Sequence, residues 1–75
     1  MTVRLDKPWQ LLTPKNLALI AGHLGVYQLA NDAGEILYIG VANARTRFGL
    51  KGELAKAIDA PPVGVTRFRV EVNMS

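Results

Sequence analysis

Two tyrosines, Tyr27 and Tyr38, and the arginines that follow them carry most of the chemistry this chain can offer. Hydrolysis of a phosphodiester needs an activated oxygen nucleophile, cationic groups around a crowded anionic transition state, and usually a hard divalent metal held by carboxylate. A phenol with its ordinary pKa of about 10 is a poor base at neutral pH. Neighbouring positive charge favours its phenolate and makes proton abstraction from water feasible. Arg45 and Arg47 lie shortly after Tyr38, and a guanidinium fork suits bidentate contact with phosphate oxygens. Arg67 and Arg69 alternate onto one strand face, where with Arg4 they would extend a backbone-binding stripe. His23 is available as an auxiliary base or phosphate contact. Each of these types also has a plainer use: paired tyrosines pack as aromatics, arginines solvate a surface, and a lone histidine fills a structural role.

The elements that must position these groups follow from patterning. Leu24 to Ala30 suits a strand, Asn31-Asp32-Ala33-Gly34-Glu35 has turn-forming residues, and Ile36 to about Val41 suits a second strand. Ten residues separate Tyr27 from Tyr38, an even gap that in a bulge-free antiparallel hairpin sets the two phenols directly opposite each other on one face. Gly40 ends the second strand and permits a bend or a close approach to the backbone. Leu50, Leu54, Ala57 and Ile58 form the stripe of an amphipathic helix ending near Asp59, ahead of Pro61-Pro62, and Gly49 and Gly52 predict an irregular start. Thr66 to Val72 alternates strictly as a third, half-buried strand. Before the hairpin, Thr13 caps and Pro14 opens a short helix from about Pro14 to Ala21 that Gly22 ends. Trp9 is expected to cover the core edge, with base stacking as the functional alternative. The pattern predicts an α+β fold: a small three-stranded antiparallel sheet, a short N-terminal helix, and one longer helix between strands two and three.

Gly25-Val26-Tyr27 and Tyr38-Ile39-Gly40, joined by that turn, resemble the motif pair of the GIY-YIG nuclease domain, with Val26 where the family usually has Ile. The resemblance covers residues 24 to 72. It implies a metal-dependent DNA endonuclease in which Tyr27 and Tyr38 lie beside the attacking water and the scissile phosphate. Arg47 then matches the family arginine, with Arg45 as its backup, and His23 is the kind of auxiliary contact some members have; Gly40, by close approach to its backbone, and Arg67 and Arg69, outside the core motif, are the further candidates for substrate contact. The family's metal-binding glutamate sits on a helix after the third strand. No residue before Ser75 occupies that place; Glu53 and Glu71 read as surface charges, Glu53 at helical ion-pair spacing from Lys56. The implied Mg or Mn thus lacks its glutamate in this chain. The resemblance then describes a single domain over residues 1–75 without its C-terminal helix, incomplete or inactive as a nuclease, or a non-catalytic nucleic-acid-binding or homodimerising module of the same fold.

Composition narrows the setting. Seventy-five residues make one domain, and with no cysteine and one histidine neither disulfides nor a histidine metal cluster stabilises it. The formal charge of +3 is compatible with an anionic partner such as DNA and equally with an ordinary soluble surface. Leu17 to Tyr27 is too short and too interrupted to cross a bilayer, and the first residues lack a secretory apolar core. A cytoplasmic protein is expected, with a possible homodimer through a sheet face that one helix cannot cover.

Overall fold

The hairpin turn organises the sheet. In the computed structural model, which describes residues 8–20, 24–43, 45 and 48–72, the Asn31 side chain closes the reversal: its Oδ1 accepts from the backbone N–H groups of Ala33 (3.0 Å) and Glu35 (2.9 Å). The Asn31 N–H donates to the Glu35 carbonyl at 3.1 Å. Gly34, at φ 81°, supplies a left-handed backbone that a side chain would resist.

Among the described residues six elements follow in chain order: β1 (Gln10–Leu11), α1 (Pro14–Leu17), β2 (Gly25–Ala30), β3 (Ile36–Ala42), α2 (Gly49–Asp59) and β4 (Arg67–Val72). The sheet has four strands in the order β1-β4-β2-β3, all antiparallel, rather than the three expected. The additional strand β1 is two residues long and pairs only with the start of β4. Leu12 continues the attachment by donating to the Thr66 carbonyl at 2.9 Å.

The helix α1 is shorter than its apolar spacing suggested. Thr13 caps it, its Oγ1 accepting from the Asn16 N–H at 3.2 Å, and Pro14 occupies the first turn. After Leu17 the bonding tightens to i→i+3, with Leu19 donating to Asn16 and Ile20 to Leu17. The expected end at Gly22 lies outside the described residues.

The second helix ends where Asp59 and the following prolines predict, and its start is irregular. Phe48 and Gly49 both adopt left-handed φ, 64° and 62°. For Phe48 that conformation is disfavoured by clashes of its Cβ with the backbone. From α2, Leu50, Leu54 and Ala57 bury against one sheet face, meeting Tyr27, Leu29 and Phe68, while Val70 and Val72 pack partly. Residues paired across strands share a face, so the rows Leu29–Phe68 and Tyr27–Val70 belong to this covered side.

The other face stays open. There the row Ile39–Gln28–Arg69 and the row Val41–Val26–Glu71 cross the sheet, and Ile39 and Val41 are each 58% exposed. Trp9 lies on this side, against the Arg69 guanidinium at 4.1 Å from the ring centroid. It flanks the open face instead of sealing the core. No helix among the described residues is long and apolar enough to cross a membrane.

Candidate functional site

Tyr27 and Tyr38 point to the same, helix-covered side of the sheet, but they are not directly opposite. The observed partners are Tyr27 with Gly40 and Leu29 with Tyr38, which makes the phenols diagonal neighbours. The cause is local. The five-residue turn from Asn31 to Glu35 closes on Ala30 and Ile36, and a bulge leaves Leu37 as an extra residue before Tyr38 meets Leu29. These two single-residue displacements add to two, so the partner changes while the face does not.

Gly40 has a definite purpose in this arrangement. A Cβ there would collide with Cζ, Cε1 and the hydroxyl of Tyr27, so the missing side chain is the seat of the phenol ring. Tyr38 then stacks beside Tyr27, ring centroids 6.0 Å apart and planes at 29°. Gly25 acts similarly at the backbone level, since a Cβ there would run into the Glu71 carbonyl of β4. Both motif glycines are thus required by close approaches.

The two rings differ in environment. Tyr27 is 4% exposed and belongs to the core, whereas half of Tyr38 faces solvent. Beside them runs an open groove of about 240 Å³ lined by Tyr27, Leu29, Tyr38, Glu53, Lys56 and Pro62, among others. Glu53 projects from α2 with most of its side chain covered, and its Oε2 takes an ion pair from Lys56 Nζ at 3.1 Å. The Lys56 side chain is largely in solvent.

Burial pushes the Tyr27 phenol up to about 12, and the charges and hydrogen bonding of Tyr38 and Glu53 push it the same way. Tyr27 therefore remains protonated at neutral pH. It is a hydrogen-bond donor, opposite to the phenolate base that a cationic neighbourhood would have favoured.

Among the other candidates, Arg45 is exposed and donates its backbone N–H to Asn43 Oδ1 at 2.9 Å, a turn near the start of α2. Arg47 and His23 lie outside the described residues. Arg67 and Arg69 do share a face, as their alternation requires, but it is the open face, away from the tyrosines. Arg69 Nε donates to Gln28 Oε1 at 2.8 Å, and Arg67 Nε lies 3.8 Å from Asp32 Oδ1. They form no continuous surface with the groove.

Glu53 and Lys56 are the groove residues that sequence reasoning assigned to the surface. Their positions next to Leu54 and Ala57, on the margin of the buried stripe of α2, are the signal that could have placed them against the sheet. Glu53 is the one carboxylate lining this groove, and it is already neutralised by Lys56. No group of three or more metal-ligating side chains comes together among the described residues. A hard divalent cation wants several oxygen ligands, so this donor set does not fit the metal that the resemblance implies.

No curated protein and no solved structure matches the chain. The family model described as "Domain of unknown function (DUF7508)" matches residues 3–75, and the chain belongs to that family.

Proposed function

We propose that this chain is a GIY-YIG-type domain whose groove accepts a DNA phosphodiester, and that its hydrolytic capacity as it stands is weak. The observation that supports this reading is the stacked Tyr27–Tyr38 pair seated on Gly40 beside Glu53 and Lys56 in an open groove. Each group has a chemical task. Tyr27, held protonated by burial, donates a hydrogen bond and orients what accepts it. Tyr38 presents its exposed phenol to a phosphate oxygen. Lys56, with its ammonium in solvent, exchanges Glu53 for a non-bridging phosphate oxygen and balances the charge that develops there. Glu53, released by Lys56, accepts a proton from the attacking water as its oxygen bonds to phosphorus and the bond to the leaving sugar oxygen breaks, that oxygen taking a proton from solvent. The resemblance assigns a further guanidinium contact with the phosphate to Arg47, which lies outside the described residues. The weak activity follows from the groove's one carboxylate among the described residues being paired with Lys56 and from the lack of a donor set for a divalent metal.

The second reading is a non-catalytic DNA-binding member of the same fold. It is favoured by the Glu53–Lys56 pair and the raised Tyr27 phenol, both of which quench a nucleophile-generating site.

Plasmid nicking in Mg or Mn, together with anisotropy titration of short duplex DNA, distinguishes the two. The enzyme reading expects slow conversion of supercoiled to open-circular plasmid that Tyr38→Phe and Arg47→Ala both abolish. Absence of nicking at high protein concentration, with salt-sensitive DNA binding retained, selects the binding module. Absence of both at low salt rejects DNA as the ligand.

A further inference from the structure

The open edge of the sheet is unusual in its chemistry. Among the described residues β3 is the terminal strand, and its seven residues Ile36–Ala42 contain no charge and no proline. Natural edge strands are normally blunted by those devices, because a free row of N–H and C=O groups recruits another strand. Five large apolar residues on β3 are also exposed: Ile36 at 46%, Leu37 at 45%, Tyr38 at 50%, and Ile39 and Val41 at 58%. The opposite edge, β1, is only two residues long and offers no comparable template.

We propose that β3 pairs antiparallel with β3 of a second copy, about a two-fold axis at Ile39, to give a continuous eight-stranded sheet. The strand is complementary to itself in this register. Ile39 meets its own symmetry mate, Val41 meets Leu37, and Tyr38 comes opposite Gly40 of the other copy, whose face is already filled by that copy's Tyr27, so the tyrosines of the two copies become neighbours. It is also the register in which all seven positions overlap while each sheet face continues into the same face of its mate. The bulge at Leu37 sits at the end of the stretch, leaving Tyr38 to Val41 regular at the centre. Edge pairing covers the strand backbone and only the flanks of the five exposed side chains, less than the ~800 Å² per partner of a stable interface, so the dimer is expected to be weak and concentration-dependent. A charged partner would find no complement along this edge. The pairing joins Ile39 and Val41 of both copies into one apolar belt on the open face, and it places both Tyr27–Tyr38 grooves on the same side of the joined sheet.

The test uses the whole chain, which has no cysteine of its own. Sedimentation equilibrium from micromolar to near-millimolar concentration is expected to show a monomer–dimer equilibrium that Ile39→Lys shifts to monomer with unchanged circular dichroism. Ile39→Cys should form an oxidised dimer about tenfold or more faster than Val63→Cys, which is 99% exposed in the loop after α2, because the axis holds the two thiols at high effective concentration. Amide exchange on β3 should slow as concentration rises, which face-to-face stacking of two open sheets would not produce. A monomer at every concentration, a dimer that survives Ile39→Lys, equal cross-linking by the two cysteine variants, or β3 exchange independent of concentration overturns the proposal. None of these results bears on whether the groove binds DNA.

Discussion

Replacing Gly40 by Ala isolates the contact that seats the tyrosine pair. Gly40 pairs with Tyr27, and the added methyl would occupy the space of the ring's far end and hydroxyl. Two effects oppose each other. In the interior of a strand, Gly→Ala gains roughly 0.5–1 kcal/mol from reduced backbone freedom in the unfolded chain. Overpacking against a buried ring costs about 1–3 kcal/mol, because Tyr27 is held by Leu54 and its core neighbours and cannot simply rotate away. The clash wins, so Gly40→Ala is expected to destabilise by about 1–2 kcal/mol. In a 75-residue chain whose total stability is of order 4–11 kcal/mol, each kcal/mol lowers Tm by about 4–8 °C. Urea unfolding measures it. The decisive comparison is the double-mutant cycle with Tyr27→Leu, which deletes Cζ, Cε1 and the hydroxyl while keeping an apolar side chain. In that background Gly40→Ala should turn neutral or stabilising, a coupling of about 1–3 kcal/mol. If Gly40→Ala costs the same with and without the tyrosine ring, the seat is not what requires the glycine and the account of the motif fails.

Two further outcomes bear on the groove. Because the folded Tyr27 phenol is raised above its unfolded value of about 10, the folded state holds that proton more tightly; its contribution to stability is complete below pH ~10 and is lost as pH rises toward 12. Ultraviolet titration should show one of the two tyrosines ionising late, and Tyr27→Phe should remove that late step along with the corresponding slope of stability against pH. Lys56→Ala breaks a largely solvent-exposed ion pair and should change stability by less than about 0.5 kcal/mol. If Lys56 meets a DNA phosphate, the same variant lowers the slope of log affinity against log salt by about 1, and an unchanged slope removes Lys56 from the interface.

What the sequence made legible depended on how many residues shared one constraint. The alternation of Arg67 to Val72 and the stripe Leu50, Leu54, Ala57 each repeat a rule several times, and β4 and α2 form where those rules place them. Two residues repeat nothing, so β1 was invisible: Gln10 and Leu11 become a strand only because β4 presents a free edge to them. The covered and open faces were readable for the same reason as the strands, which is why Arg67 and Arg69 share a side; that this side is not the tyrosines' side depends on which strand pairs with which.

The tyrosine pair shows most clearly where such reading stops. Parity of spacing governs the face of a side chain, and Tyr27 and Tyr38 keep one face because a turn one residue longer and a one-residue bulge restore even parity. Opposition across the ladder depends on the turn itself, and the bonds made by Asn31 decide it. The consequence is chemical. With β2 in the middle of the sheet and β3 at its edge, the displacement by two puts Tyr27 over Gly40 in the core while Tyr38 lies half in solvent across from Leu29. One holds its proton in the core near Glu53, and the other leaves its phenol half exposed at the groove. On the nuclease reading the work is divided between two unlike tyrosines, and because Tyr38 helps to raise the Tyr27 phenol, Tyr38→Phe should move the late ionisation of Tyr27 back toward its ordinary value.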